Sequence, residues 1–346
     1  MLHINPNTPK IIKARRAFHA GMLDFVFKRI DKIDELDGVN TLIIQRFFEN
    51  HVFDLIDDLL IGKPDRLIQI SKHLKPFIDF SSDIRKGIEY VFSYGIFIKK
   101  AKTRFDAYKL ADSLDVRTCT YCNRNYTNTV IRKNGDKLTR PQFDHYFDKA
   151  SHPVIAISFY NLIPSCSICN SSIKGTHKMN LNDYMHPYID NNLNDIRFTY
   201  KYSSESKSGL RIKVKTPIAS KASNTVDAFA IEEVYNSHTG ELLDLIKTRQ
   251  YFSDKYLSIL SSNLLRDVIV SKEDLYRIVF GTEYDSINFM NRPFSKFKSD
   301  ILKELGIIWQ KNSPRILQAH LKAAQANAKP KLLKELAKPT QEKKKF

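Results

Sequence analysis

Two Cys-x-x-Cys pairs constrain this chain more than any other feature. The chain has four cysteines, Cys119 and Cys122 in CTYC and Cys166 and Cys169 in CSIC. Two thiolates spaced in this way can bind one soft cation from a single turn, so the two pairs predict a tetrahedral Zn²⁺ site. Four buried or redox-active thiols are the plain alternative. A zinc ion bound here would be a structural clamp that joins the two ends of the segment between the pairs.

The charge of the chain indicates the chemistry of its partner. Its 346 residues include 55 Lys and Arg against 38 Asp and Glu, a formal net charge of +17. So large a positive excess favours a polyanion, and nucleic acid, most readily DNA, is the first candidate. A basic surface without a partner is the alternative.

The location of the protein follows from what its sequence does not contain. The N-terminal residues have no apolar segment followed by a small-residue cleavage site, so we expect no secretory signal. No run approaches the roughly 18 apolar residues that cross a bilayer, so we expect no membrane partner. Cysteines in metal-type pairs suit a reducing compartment, and the cytoplasm is therefore the expected location.

The periodicity of the apolar residues predicts an α+β fold. Helical spacing dominates both ends of the chain, and strand-like alternation is confined to the middle and to LRIKVKT. We expect four regions: a helical N-terminal region, a zinc-bound module, a mainly helical region with a short β segment, and a disordered basic tail. Their expected bounds are 1–112, 113–190, 191–327 and 328–346.

The central module is predicted to run strand, loop, strand, helix. Asn134-Gly135 is typical of a type I′ hairpin turn, and the second strand of this hairpin is expected to end at Asp144 and His145. The apolar run NLIP would return as a strand, and a helix would begin after Cys169.

Asp144 and His145 are the candidate catalytic residues. An imidazole has the intrinsic pKa of a general base near neutral pH, and a carboxylate is a hard oxygen ligand suited to Mg²⁺. Asn161 could orient the loop that carries His145, and the amide oxygen of Asn170 could complete the ligands of the cation. A turn residue and a helix cap, respectively, are the alternatives for these two asparagines.

The motifs CTYCN, FDHYFDKA and YNLIPSCSICNSSIKG together resemble the zinc-stabilised form of the HNH (ββα-metal) endonucleases. The resemblance covers about residues 119–174. It implies a metal-dependent hydrolysis of phosphodiester bonds that leaves 5′-phosphate and 3′-hydroxyl ends. In that family pattern His145 is the general base, Asp144 and Asn170 bind the catalytic Mg²⁺ or Mn²⁺, and Asn161 positions the base.

The chain departs from the family pattern at one lysine. Many members read CNxxK, whereas one extra residue separates Asn170 from Lys174 here, which leaves the role of Lys174 as a phosphate contact open. His177 is a reserve metal ligand, because seven positions separate it from Asn170 along a helix.

Further basic residues could contact phosphates of a nucleic acid. A solvated helix face is an equal alternative for the cluster that precedes the first cysteine pair. These candidates are Lys149 and the cluster Lys99, Lys100, Lys102 and Arg104.

The flanking helical regions also resemble the larger bacterial HNH proteins that act beside an ATPase in anti-phage defence. This looser resemblance implies an antiviral effector with an ATPase protein as its partner. Two other functions stay open. One is a zinc-stabilised nucleic-acid-binding module that does not cut, and the other is an RNA-cleaving toxin that uses the same site.

Overall fold

A computed structural model describes residues 1–101, 104–206, 208–251 and 272–306. The fold of these residues is α+β, as the sequence predicts, and combines helices with three two-stranded antiparallel sheets. The candidate phosphate contact Lys102 and the basic tail 328–346 lie outside the described residues.

The N-terminal region is helical, and polar side chains cap the starts of its helices. The Asn40 side chain accepts a hydrogen bond from the Ile43 amide, and the Ser81 hydroxyl accepts one from the Ile84 amide. The helices are α1 (Pro9–Ile30), α2 (Thr41–His51), α3 (Ile56–Ile61), α4 (Pro64–Phe80), α5 (Ser82–Val91), α6 (Tyr94–Phe97) and α7 (Ala107–Leu114).

These helices pack directly on the central segment. Phe18 of α1 is fully buried, and its ring meets the Phe159 ring edge-on with 5.5 Å between the centroids. The Ser158 hydroxyl donates to the Leu59 carbonyl of α3, and Arg15 donates to the Tyr160 hydroxyl over 2.6 Å. The hydrophobic core therefore continues from the N-terminal helices into the segment that carries the candidate site.

The predicted hairpin forms, but its turn is of another type. Strand β1 (Val130–Ile131) pairs with β2 (Lys137–Thr139) around Asn134-Gly135. A type I′ turn needs positive φ at both central residues. Gly135 has φ +88°, whereas Asn134 is not among the residues with positive φ.

The second strand of this hairpin does not continue to the candidate catalytic pair, so that part of the prediction is wrong. Strand β2 ends before Pro141, and a separate strand β3 (Gln142–His145) pairs with β4 (Leu162–Ser165). Proline has no amide proton for a strand ladder and therefore favours a break at this point. A π-helix (Ile168–Lys174) follows β4, so the order strand, strand, helix is retained.

The C-terminal region closes over the first cysteine pair. The Tyr235 hydroxyl donates to the Cys122 carbonyl over 2.6 Å, and the Asn123 side chain donates to the Phe289 carbonyl over 2.9 Å. The elements of this region are β5 (Arg197–Tyr202), β6 (Leu210–Lys215), α8 (Lys221–Ala228), α9 (Ile231–Asn236), α10 (Thr239–Tyr251), α11 (Lys272–Phe280) and α12 (Ser295–Glu304). Across the part of the chain that the structure describes, no helix has both the length and the apolar character that a membrane crossing requires.

Candidate metal centre and active site

The four cysteines converge on one point in the interior. Their Sγ atoms all lie within 4.8 Å of one another, the four side chains are buried, and none forms a disulfide. Zn–S bonds of about 2.3 Å in a tetrahedron put neighbouring sulfurs about 3.8 Å apart, so the arrangement fits a zinc ion. Burial raises the pKa of the Cys119 thiol well above its ordinary value. A bound cation would supply the charge that a buried thiolate needs.

Local backbone geometry turns each cysteine pair toward this point. The Asn123 amide donates to the Cys119 carbonyl over 2.8 Å, and Asn123 itself has φ +49°, which reverses the chain after the first pair. In the second pair, Cys166 follows β4 and Cys169 lies in the π-helix. The Cys169 amide donates to Cys166 Sγ over 3.4 Å, and a bond of this kind stabilises a thiolate.

Asp144 lies on β3 with both carboxylate oxygens occupied. Oδ2 accepts a hydrogen bond from the Tyr121 hydroxyl over 2.6 Å, and Oδ1 accepts one from Lys174 Nζ over 2.7 Å. The side chain is buried, which raises the pKa of Asp144, while the ammonium of Lys174 and the hydroxyl of Tyr121 act in the opposite direction. The carboxylate is therefore the centre of a buried ion pair.

Lys174 faces the interior and not the solvent, so its position in this structure does not place it against a phosphate. The residue is 5% exposed, and its Nζ also donates to the His145 carbonyl over 2.6 Å. The extra residue between Asn170 and Lys174 accompanies a π-helix, whose wider turn carries the lysine to Asp144.

His145 is the last residue of β3 and is half-buried. Its Nε2 lies 2.9 Å from the Ala156 carbonyl oxygen. Because a carbonyl can only accept, Nε2 carries the proton of the neutral ring, and Nδ1 is the basic nitrogen. Burial lowers the pKa of His145 to about 4. The imidazole is therefore neutral at physiological pH and free to accept a proton, but it is a weaker base than the near-neutral imidazole that the sequence predicts.

The ring of His145 is held from α6. The Tyr94 ring meets it edge-on with 4.4 Å between the centroids, and the Tyr94 hydroxyl donates to the Phe143 carbonyl over 3.1 Å. The exposed Lys149 places its Nζ 5.4 Å from the centroid of the same Tyr94 ring. A basic side chain thus lies beside His145 on the solvent side.

Asn161 ties the loop after His145 to the start of β4. Its Oδ1 accepts from the Phe147 amide over 2.7 Å, and its Nδ2 donates to the carbonyls of Phe147 and Ile155 over 3.1 and 3.0 Å. The side chain is fully buried, so it can orient the loop but cannot touch a ligand. This is the geometry that an orienting residue needs.

Asn170 faces the same side of β3 as Asp144. Its Nδ2 donates to Gln142 Oε1 over 2.8 Å. Gln142 and Asp144 are alternate strand residues and so point to one face. The bond uses the amide nitrogen, and the amide oxygen is the atom that a cation would take. Asn170 does not cap the π-helix, because Ser167 occupies the N-cap position.

Asp144 and His145 do not share a face of the strand. Neighbouring strand residues point in opposite directions, and the two side chains contact different groups: Lys174 and Tyr121 in one case, Ala156 and Tyr94 in the other. The two residues meet through the main chain, because the His145 carbonyl contacts the same ammonium as Asp144.

The remaining predicted residues contact other parts of the chain. The π-helix ends at Lys174 and Gly175 has φ +50°, so His177 is not on the helix and the spacing argument for it as a metal ligand is wrong. His177 Nε2 lies 2.8 Å from the Tyr184 hydroxyl instead. Lys99 and Lys100 are exposed before α7, and Arg104 donates to the Lys99 carbonyl over 3.1 Å.

Sequence reasoning missed three residues of the centre. Tyr121 had a local signal, since it lies between the cysteines of CTYC next to the predicted zinc. Tyr94 had none, because a helix distant in the sequence brings it to His145. Gln142 had no signal beyond its place in the predicted strand, because its contact with Asn170 depends on the fold.

No second group of three or more His, Cys, Asp or Glu side chains with converging ligand atoms exists in the described ranges. A catalytic cation would therefore rest on one carboxylate with neutral oxygens. The carboxylate of Asp144, the His145 carbonyl and the amide of Asn170 supply hard oxygen donors of the kind that Mg²⁺ and Mn²⁺ take. Two of these oxygens already converge on one cationic group, the Lys174 ammonium.

Comparison with known proteins gives a weak similarity. No family model matches the chain, and no solved structure does. Among curated proteins, the chain is similar to the Septu protein PtuB of Bacillus thuringiensis. The two are 24% identical over 191 residues, which cover 51% of this chain and 68% of that protein.

Proposed function

We propose that this protein is a metal-dependent endonuclease of the HNH type that cuts DNA. The observation that carries the proposal is the hydrogen bond from His145 Nε2 to the Ala156 carbonyl. It leaves Nδ1 as the basic nitrogen of a neutral ring, next in sequence to a buried carboxylate and after a loop tied by Asn161.

His145 would act as the general base. Nδ1 would take a proton from the attacking water, and the imidazolium so formed would keep its Nε2 proton on the Ala156 carbonyl. That carbonyl dipole would stabilise the positive ring. Tyr94 on one side of the ring and the Asn161 network behind its loop would keep it from rotating.

A divalent cation, when bound, would neutralise the charge that develops on the phosphate and the leaving oxygen. Asp144 and Asn170 are the side chains that would hold it. Asp144 is oriented by Tyr121, which the first cysteine pair carries, so zinc bound by the cysteines would fix the position of the carboxylate.

The net charge of +17 and the exposed Lys149 beside His145 support a nucleic-acid substrate. The similarity to a Septu protein supports the resemblance to anti-phage effectors. We therefore propose a defence role with an ATPase protein as partner.

One observation favours the non-catalytic alternative. Both carboxylate oxygens of Asp144 already have protein donors. The carboxylate is thus satisfied without a catalytic cation, as it would be in a zinc-stabilised binding module that does not cut. Cleavage assays separate the two functions.

The test is nicking of supercoiled plasmid by the zinc-loaded protein with Mg²⁺ or Mn²⁺, with and without EDTA. We expect nicking that EDTA abolishes and that His145→Ala lowers by about 1,000-fold, the order of a general base. His73→Ala removes an exposed imidazole on α4 and is the matched control. Equal nicking by the His145 variant would refute the assignment, and cleavage of RNA but not DNA would favour the toxin.

A further inference from the structure

An ammonium group lies where two oxygen ligands of the candidate centre converge. Lys174 Nζ is 2.7 Å from Asp144 Oδ1 and 2.6 Å from the His145 carbonyl oxygen. We propose that Lys174 is a built-in competitor of the catalytic cation and must leave Asp144 before that cation can bind. This inference rests on the proposed function and describes how its metal site is regulated.

The two oxygens are of the kind that a hard divalent cation takes. A carboxylate and a main-chain carbonyl bind such ions at about 2.0–2.6 Å. The ammonium of Lys174 is also positive and also prefers oxygen partners. It donates hydrogen bonds to the same two oxygens. Since both cations would need Asp144 Oδ1 and would repel each other there, they cannot occupy the site together.

Burial makes the competition strong. Asp144 is 3% exposed and Lys174 is 5% exposed, and residues of these types are rarely buried without a partner. The lysine therefore supplies the charge that the carboxylate needs when no metal is bound. The Tyr121 hydroxyl holds the other oxygen, so the carboxylate would keep its orientation when Lys174 leaves.

The position of Lys174 in the chain makes its departure feasible. It is the last residue of the π-helix, and Gly175 with φ +50° follows it. Its release would need a side-chain rotation at a helix end, without displacement of a strand. A phosphate of the substrate would attract the released ammonium, so metal binding would depend on the presence of nucleic acid.

The test measures Mn²⁺ affinity from the electron paramagnetic resonance signal of the free ion, using zinc-loaded full-length protein. Lys174→Met removes the competitor, and we expect it to bind Mn²⁺ at least about tenfold more tightly than the native protein, a change of about 1.4 kcal/mol. Lys178→Met is the matched control, because it removes an equal charge from an exposed lysine that contacts Ser151. Addition of Asp144→Asn to Lys174→Met should abolish the gain.

Lys174→Gln is a second variant, for the case in which Lys174→Met does not fold. It removes the charge but keeps a hydrogen-bond donor. Zinc content and circular dichroism report the fold of each variant. Folded variants whose Mn²⁺ affinity equals or falls below that of the native protein would overturn the proposal. Unfolding of both variants would also overturn it, because the ion pair would then be structural.

Plasmid nicking separates this inference from the function on which it rests. If the native protein nicks DNA but removal of Lys174 does not tighten Mn²⁺ binding, the inference fails and the nuclease stands. If the tightening occurs and neither protein nicks DNA or RNA, the competition stands and the nuclease fails.

Discussion

Strands β3 and β4 connect the cysteine cluster with the Asp144 centre, and the two sites differ in how complete they are. Four buried sulfurs already converge on one point, where they could bind one soft cation. The Asp144 centre offers one carboxylate, and a lysine satisfies it. We therefore propose that the first site would hold its metal permanently, while the second would bind one only when Lys174 leaves it.

Tyr121 connects the two sites. It lies between the cysteines of the first pair, stacks on Phe229 with 3.9 Å between the ring centroids, and donates to Asp144. A change at the cluster should therefore reach the carboxylate, whereas a change at the carboxylate should leave the cluster intact. This asymmetry can be tested from either side.

The largest effect is expected from Cys166→Ser. Loss of one thiolate should release zinc and unfold the central segment, because structural zinc contributes on the order of 10 kcal/mol to folding in small modules. Zinc content by mass spectrometry and Tm by circular dichroism measure the effect. Ser167→Ala, an exposed change between the same two cysteines, is the control. Retention of native Tm and activity by the Cys166 variant would refute the structural clamp.

A smaller loss is expected from Asp144→Asn. It leaves the Lys174 ammonium buried without its counterion, and broken buried pairs cost about 3–5 kcal/mol. Zinc content should stay native, because no cysteine is touched. Urea unfolding measures the loss, and Asp24→Asn, which breaks the exposed pair with Lys28, should change stability little. Loss of zinc in the Asp144 variant would contradict the asymmetry between the sites.

Tyr121→Phe should lower the folding stability by less than Asp144→Asn does. The ring can still stack on Phe229, while Asp144 Oδ2 loses its donor, and an unsatisfied buried acceptor costs about 1–3 kcal/mol. Nicking should fall while zinc content stays native. Tyr126→Phe, at an exposed tyrosine after the same cysteine pair, is the control. Native stability and native nicking in the Tyr121 variant would refute the claim that Tyr121 connects the two sites.

The smallest effect is expected from Lys149→Ala. It removes one exposed charge beside Tyr94 and touches neither metal site. DNA affinity should weaken uniformly across sequences, and the slope of log affinity against log salt should fall by about 1. Fluorescence anisotropy over a salt series measures this, with Lys28→Ala on α1 as the control. An unchanged slope would exclude a phosphate contact at Lys149.

Features fixed by local spacing were predictable from the sequence. The two cysteine pairs and strand β4 follow from residues close together in the chain, and so does a helix at the second pair, although it begins at Ile168 and not after Cys169. Asn161 was a candidate from the sequence, and its side chain bonds the main chain of the loop after His145, while its orienting role stays a prediction. The break before β3 also had a local signal, since proline interrupts a strand ladder, and Pro141 was overlooked.

Features that depend on tertiary contacts or on the type of helix were not predictable. Helical periodicity does not distinguish an α-helix from a π-helix, so the direction of Lys174 could not be read from its spacing. The helix ends before Gly175, so His177 does not lie on it and the prediction that placed His177 on the helix was wrong. Tyr94 approaches His145 from a distant helix.

Anomalous diffraction from crystals grown with zinc, Mn²⁺ and a short DNA duplex tests the two-site account most directly. We expect a zinc peak at the centre of the four sulfurs and a manganese peak bonded to Asp144 Oδ1, with the Lys174 ammonium displaced from that oxygen. A sulfur cluster without zinc, or DNA-bound protein in which Lys174 still contacts Asp144 and no manganese is near, would contradict the account.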